Sequence, residues 1–120
     1  MEVLVRTTDN ATIIDCTGDV DLYSSPQLRE KLLEAMRGAN SSVLVNMSGV
    51  GYIDSSGIAT LVEGLQLSQK TRTRFGLFGL RSNARSVLEL ARLNKVFAIF
   101  ENEQDALDKI ASTEPFSGLA

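Results

Sequence analysis

Histidine is absent from the 120 residues of this chain, and cysteine occurs once, at Cys16. Without histidine the chain cannot build a Ser-His-Asp triad, a Cys-His pair or a His-ligated metal site, which excludes a conventional serine hydrolase. A single cysteine excludes an internal disulfide and a cysteine-based zinc site, and its place in an alternating apolar stretch predicts a buried thiol. We therefore expect a protein that is not an enzyme and that holds neither a metal nor a cofactor.

Long apolar runs and a basic excess are also missing. No run approaches the roughly 20 apolar residues that a membrane-spanning helix needs, and the first residues do not open a signal peptide. The formal net charge of −3 argues against broad binding to nucleic acid or to an anionic membrane, which normally shows a basic excess on one face. We expect a cytosolic protein with no direct contact to nucleic acid and no membrane insertion.

The chain does have the composition of one ordinary globular domain. Hydrophobic residues make up 43% of it and charged residues 22%, and a single domain of this size can bury a sufficient core. We predict that the domain spans residues 1–112. Residues 113–120, which include a proline and a glycine, are predicted to form a flexible C-terminal tail.

The spacing of apolar residues predicts the order of strands and helices. Strands are predicted within residues 3–5, 11–16, 43–45, 75–80 and 96–100. Helices are predicted to begin at residues 24–26, where a serine cap precedes a proline, near Ile58, at Ser82 and at Asn102, with Ser82 and Asn102 as N-caps. Two strands and a helix followed by three strand-helix units indicate an α/β fold, with a central mixed or parallel sheet of about five strands and about four α-helices.

The most informative stretch joins the third strand to the second helix. Asp54, Ser55, Ser56 and Gly57 stand where that helix starts. Helix N-termini carry unpaired amide donors and partial positive charge, so the Asp-Ser-Ser cluster is either a plain cap or a site for an anion or a phosphoryl group. For Ser55 and Ser56 themselves, the plainer interpretation is helix capping. The preceding residues Tyr52 and Ile53 are predicted to be buried anchors of the loop.

This stretch resembles the signature of the STAS domains, the family named for sulphate transporters and anti-sigma-factor antagonists. Residues 54–58, Asp-Ser-Ser-Gly-Ile, carry the resemblance, and residues 18–21 and 75–100 match in the same order. The resemblance covers nearly the whole chain and implies a single STAS-type domain. In the bacterial antagonist branch, the first serine after the aspartate is phosphorylated by a partner that is both serine kinase and anti-sigma factor. That position here is Ser55.

Two loops are expected to share one edge of the sheet. The acidic segment with Asp19 and Asp21 follows the second strand as the motif follows the third, and the carboxyl ends of parallel strands gather at one edge. The resemblance places a partner-binding surface there. It implies partner contacts from the following residues: Asp19, Asp21, Asp54, Ser56 and Gly57.

The carboxylates and serines of these loops also have plainer interpretations. Asp19 and Asp21 are either solvated loop carboxylates or the border of the interface. Asp54 either braces its own turn or orients the hydroxyl and engages the kinase. A phosphate on Ser55 is expected to be tolerated locally, because helix amides and the helix dipole favour an anion.

Three functions from different classes stay open. The resemblance favours an anti-sigma factor antagonist, whose unphosphorylated form binds an anti-sigma factor with serine kinase activity and releases the sigma factor. Phosphorylation at Ser55 then switches binding off, and a serine phosphatase is a further candidate partner. The alternative is a non-switching STAS interaction subunit of a lipid-transport or signalling complex. An enzyme that acts through Ser55 or Asp54 is disfavoured by the missing histidine.

Overall fold

The computed structural model describes residues 1–112, which form five strands and four helices in the predicted order. The strands are β1 (Glu2–Thr7), β2 (Thr12–Thr17), β3 (Ser42–Gly49), β4 (Arg74–Phe78) and β5 (Ala98–Phe100). The helices are α1 (Ser25–Met36), α2 (Ser55–Thr71), α3 (Ser82–Leu90) and α4 (Glu103–Ala111). Within residues 1–112 no helix is long and apolar enough to cross a membrane. The tail predicted for residues 113–120 lies outside the described residues.

The sheet is mixed, which is one of the two predicted arrangements, with the strands in the order β1-β2-β3-β4-β5. β1 runs antiparallel to β2, to which a tight turn connects it, and the other three pairings are parallel. Each parallel pairing is joined by a helix, which is the usual connection between parallel strands. The carboxyl ends of β2, β3 and β4 therefore open onto one edge of the sheet.

Helices cover both faces of the sheet, and the central strand β3 is buried between them. One apolar core joins side chains of α1, α2 and α3 to one face, and a second joins Ala106 and Ile110 of α4 to the other. Ile13 and Ile14 point to opposite cores, because successive strand residues alternate between faces. Val43, Leu44 and Val45 are fully buried, as an all-apolar strand in a sheet covered on both sides should be.

The helix boundaries differ from the sequence prediction mainly at the caps. α2 begins at Ser55 rather than near Ile58. Neither Ser24 nor Ser82 caps a helix through its side chain, whereas Asn102 does cap α4, by accepting from the Asp105 amide at 2.9 Å. Serine next to a predicted helix start is therefore an unreliable marker in this chain, because its hydroxyl can serve a neighbouring loop instead.

The single cysteine is buried, as its place in an apolar strand predicts. Cys16 is 2% exposed on β2, and burial raises the pKa of its thiol to about 12. Thiol chemistry depends on the thiolate form. Cys16 is therefore a small core residue that contributes packing.

Candidate functional site

Two loops meet at the carboxyl edge of the sheet. We call residues 18–24, after β2, the acidic loop, and residues 50–54, between β3 and α2, the motif loop. Val20 and Ile53 form an isolated parallel bridge between them. The Val20 amide donates to the Tyr52 carbonyl at 2.9 Å, and the Asp54 amide donates to the Val20 carbonyl at 3.1 Å. The expectation that these loops share one edge is confirmed.

The bridge sorts side chains into buried and outward positions. Val20 and Ile53 are buried, at 0% and 1% exposure. Because neighbours in an extended chain point to opposite sides, Asp19 and Tyr52 take outward positions on either side of the pairing. Asp19 is exposed, and Tyr52 is 46% exposed. The prediction for Ile53 as a buried anchor is therefore confirmed, and that for Tyr52 is wrong.

Asp54 is the N-cap of α2. Its backbone is extended, and its Oδ1 accepts from the Ser56 amide at 2.9 Å and from the Gly57 amide at 3.2 Å. The plainer interpretation, in which a serine caps this helix, is wrong, and Asp54 takes the bracing role that was one of its two expected roles. A cap of this kind stabilises a helix by about 1 kcal/mol. It also occupies two of the amides that could otherwise receive an anion.

The two serines of the motif differ in exposure. Ser55, the first residue of α2, is exposed, whereas Ser56 is half-buried. Within residues 1–112 the Ser55 hydroxyl has no hydrogen-bond partner. Ser55 therefore presents a free hydroxyl to solvent on a turn that Asp54 holds rigid.

Gly57 lies beneath this turn, in contact with the bridge. A Cβ at residue 57 would stand 2.5 Å from Cγ1 of Ile53 and 2.8 Å from Cγ1 of Val20, both closer than real Cβ contacts. Only glycine lets the first turn of α2 approach the paired loops so closely. Gly57 therefore shapes the predicted partner surface from below, because it is itself buried.

Internal hydrogen bonds also brace the acidic loop. Asp21 Oδ1 accepts from the amides of Ser24 and Tyr23, each at 3.0 Å, and these bonds, that of Ser24 above all, hold the pKa of the Asp21 carboxyl below its usual value. The Ser24 hydroxyl donates to the Asp19 carbonyl at 2.7 Å and accepts from the Asp21 amide at 2.9 Å. Asp21 is thus a structural carboxylate as well as a surface charge, and Asp19 is the freer of the pair.

Sequence reasoning missed one support of the motif loop. The Ile53 amide donates to Oδ1 of Asn83 at 3.0 Å, across 30 positions of the chain. Asn83 lies in the first turn of α3, so it ties the motif loop to the helix that follows β4. No local pattern marks such a residue, since its partner is brought near only by the fold.

Sequence reasoning also missed the exposed apolar side chains of the two loops. In the acidic loop Leu22 is 65% exposed and Tyr23 91% exposed, and in the motif loop Tyr52 is 46% exposed. A depression of about 410 Å³ lies beside Tyr23; its lining residues are Met1, Asp19, Asp21, Tyr23, Ser24 and Gln27.

At this edge of the sheet, the exposed Ser55 hydroxyl could accept a phosphoryl group, and the surrounding loops could form a binding surface. Ser55 has no imidazole to activate it, because the chain contains no histidine. Its exposed hydroxyl can instead enter the site of another protein, which would supply the metal and the base for phosphoryl transfer.

Comparison with known proteins identifies the family. The model of the STAS domain family matches residues 2–106, so the chain belongs to the STAS domain family. It is 27% identical over 100 residues to the anti-sigma-B factor antagonist of Listeria monocytogenes, covering 82% of this chain and 86% of that relative. The resemblance seen in the motif is thereby confirmed.

Solved structures share the fold. An anti-sigma factor antagonist from Mycobacterium paratuberculosis is 21% identical, with a TM-score of 0.84 over 92% of this chain and 93% of that one. The phosphorylated form of the Bacillus cell fate determinant SpoIIAA is 21% identical, with a TM-score of 0.71 over 91% of this chain and 99% of that one. The expected STAS-type α/β domain is confirmed.

Replacement of Gly57 by alanine should destabilise the domain. Alanine in a helix is normally more favourable than glycine by about 1 kcal/mol, but here the new methyl would collide with Ile53 and Val20. We expect a net loss of about 1–3 kcal/mol in the free energy of unfolding, measured by urea denaturation. Gly51→Ala is the matched control, because a Cβ there meets nothing closer than 3.5 Å. Equal or greater stability of Gly57→Ala would contradict the packing role.

Proposed function

We propose that this chain is a cytosolic anti-sigma factor antagonist. Its unphosphorylated form binds an anti-sigma factor with serine kinase activity and so releases a sigma factor, and phosphorylation of Ser55 switches this binding off. The observation that carries the proposal is the exposed Ser55 hydroxyl, which has no hydrogen-bond partner within residues 1–112 and lies on a capped turn where the acidic loop and the motif loop meet. The names of the relatives support it, since they are antagonists of anti-sigma factors.

The geometry favours Ser55 over Ser56 as the phosphoryl acceptor. A serine hydroxyl must be accessible on the surface of its protein if it is to enter the catalytic site of a kinase. Ser55 is exposed, whereas Ser56 is half-buried behind it. Asp54 fixes the backbone of the turn through the Ser56 and Gly57 amides, so the position of the acceptor residue at the surface is fixed.

Phosphorylation would place its charge at the surface. A phosphate carries roughly −1.5 to −2 charges at neutral pH. The Ser56 and Gly57 amides, which could have received it, already bind the Asp54 carboxylate. The helix start therefore neutralises the new charge less than the sequence alone indicates, and the phosphate stays exposed to the partner. Like charges brought together at an interface cost several kcal/mol.

A non-switching subunit of a lipid-transport or signalling complex would need the same surface but no phosphoryl acceptor. The free Ser55 hydroxyl therefore favours the switch. Affinity capture from the native cell, followed by mass spectrometry, separates the two functions. A serine kinase of the anti-sigma type among the partners supports the switch, whereas a transporter ATPase with its permease supports the subunit.

Incubation of the chain with its cognate kinase, ATP and Mg²⁺ should place one phosphate on Ser55. Ser55→Ala should abolish labelling, because it removes the exposed acceptor. Ser56→Ala is the matched control and should be labelled at close to the rate of the unmodified chain. Peptide mapping by mass spectrometry identifies the residue, and a phosphate found on Ser56 would refute the assignment.

Asp19→Lys should slow association with the anti-sigma factor without unfolding the domain. An exposed carboxylate at an interface rim acts mainly through long-range attraction, so reversal of its charge lowers the association rate and its dependence on salt. We expect a decrease of about tenfold at low salt, measured by stopped-flow fluorescence.

Asp9→Lys is the control for net charge in this experiment. Asp9 is exposed in the turn between β1 and β2, at the opposite edge of the sheet, so the same change in charge there should leave the association rate nearly unaltered. Asp21→Lys is a poorer test, because it also removes the hydrogen bonds that brace the acidic loop. Equal rates for Asp19→Lys and the unmodified chain would make Asp19 a bystander.

The phosphorylated chain should lose its partner while it keeps its fold. We expect binding to weaken more than about a hundredfold, which corresponds to about 3 kcal/mol. The free energy of unfolding should fall by no more than about 1 kcal/mol, since the phosphate projects into water from an exposed residue. Calorimetric titration beside thermal unfolding measures both. Loss of binding in proportion to unfolding would instead indicate an order-disorder switch.

A further inference from the structure

The connection between β4 and α3 lies against the motif loop, on the side opposite the acidic loop, because β3 stands between β2 and β4 in the sheet. Gly79 turns the chain with a φ of +73°, so close to β3 that a Cβ there would stand 3.0 Å from the Ser48 Cβ. Further along the connection, Nη1 of Arg81 lies 3.5 Å from where a Cβ on Gly51 would stand. The first turn of α3 is thereby placed beside the motif loop.

The amide of Ile53 points toward this side of the motif loop. In the parallel bridge, Val20 donates to the Tyr52 carbonyl and accepts from the Asp54 amide, so the amide of the residue between them points away from the acidic loop. Its acceptor is Oδ1 of Asn83, at 3.0 Å. A side-chain oxygen here takes the place that the carbonyl of a neighbouring strand takes in a sheet. The motif loop is therefore held from both sides.

Asn83 serves the motif loop rather than its own helix. The N-cap of α3 is Arg81, whose side chain makes no capping hydrogen bond. Within residues 1–112, the Ile53 amide is the only hydrogen-bond partner of the Asn83 side chain. Since an amide N–H is a donor, this contact requires only an acceptor oxygen at position 83. Aspartate would supply that oxygen in a side chain of the same shape, whereas alanine would not.

We propose that Asn83 is a positioning residue for the phosphorylation of Ser55. Ser55 follows Ile53 by two positions, and Ile53 is 1% exposed, so its fixed amide and buried side chain determine where the chain enters α2. A displacement of about 1 Å in a reacting group can slow its reaction on the order of a hundredfold. This inference rests on the proposed function and names a residue of another helix on which the rate of that reaction depends.

The experiment measures initial rates of phosphorylation of the full chain by its cognate kinase over a range of chain concentrations, well below the temperature at which any variant unfolds. Asn83→Ala should lower kcat by at least about tenfold, because the acceptor serine is no longer held in place. KM should change less than about threefold, since the exposed side chains of the acidic loop are unaltered.

Asn83→Asp is the rescue variant, because it keeps the acceptor oxygen for the Ile53 amide. It should restore kcat to within about threefold of the unmodified chain. The charge that aspartate adds acts on association, and so on KM, rather than on kcat. Ser82→Ala is the matched control, since it also shortens a polar side chain in the first turn of α3, and it should leave kcat and KM within about twofold.

Hydrogen exchange gives a readout that does not need the kinase. In Asn83→Ala, exchange of the Ile53 amide should become at least about tenfold faster relative to exchange of the Val45 amide, which reports opening of the core. A purely structural role would accelerate both amides together. An unchanged ratio of the two exchange rates would contradict the proposal.

The outcomes separate this inference from the function on which it rests. If the unmodified chain is phosphorylated on Ser55 and Asn83→Ala reacts with the same kcat, the positioning role is refuted and the function stands. A loss of kcat that matches the unfolded fraction of Asn83→Ala, or that Asn83→Asp does not restore, would also refute it. If the unmodified chain is not phosphorylated on Ser55, the proposed function fails and the positioning role fails with it.

Discussion

The candidate site depends on one short backbone pairing, between Val20 and Ile53 over Gly57. Two loops that follow adjacent parallel strands must end near each other, but only hydrogen bonds fix their relative position. The bonds from Val20 to Tyr52 and from Asp54 to Val20 do this. The missing side chain at Gly57 lets α2 start directly against the pair. The buried side chains of the bridge thereby determine which neighbouring side chains face the solvent.

The three aspartates of the two loops have different structural roles, although their residue type is the same. Asp54 and Asp21 each use Oδ1 to bind two backbone amides, and so each braces its own turn. These bonds make the loops rigid and at the same time leave negative charge at the edge of the sheet. Asp19 takes no side-chain part in this network, and its charge is available to a partner. Because Asp54 caps α2, the Ser55 hydroxyl is not used as a cap, and it has no hydrogen-bond partner in the part of the chain that the structure describes.

The fold could be predicted from the sequence because its signals are local. Several features of the site could not be predicted, because they depend on contacts that form only in the folded chain. Apolar periodicity gave all five strands and four helices in order. The start of α2 was misplaced, since serine and aspartate are both good caps and only the structure shows which one accepts the amides. Tyr52 was expected to be a buried anchor of the loop together with Ile53, but neighbours in an extended chain point to opposite sides, so burial of Ile53 leaves Tyr52 exposed. Asn83 carried no signal at all, because its contact with the Ile53 amide exists only in the folded chain.

Because the helix amides are already occupied, the charge of a phosphate at Ser55 would act on a bound partner rather than be neutralised within the domain. At a helix start with free amides, a phosphate could fold back and exchange much of its charge for local hydrogen bonds. Here the Asp54 carboxylate already holds the Ser56 and Gly57 amides. An added phosphate would have to displace a carboxylate of the same sign to reach them, so water is its better partner. The charge then stays outside the fold, at the edge of the sheet where the acidic loop and the motif loop meet.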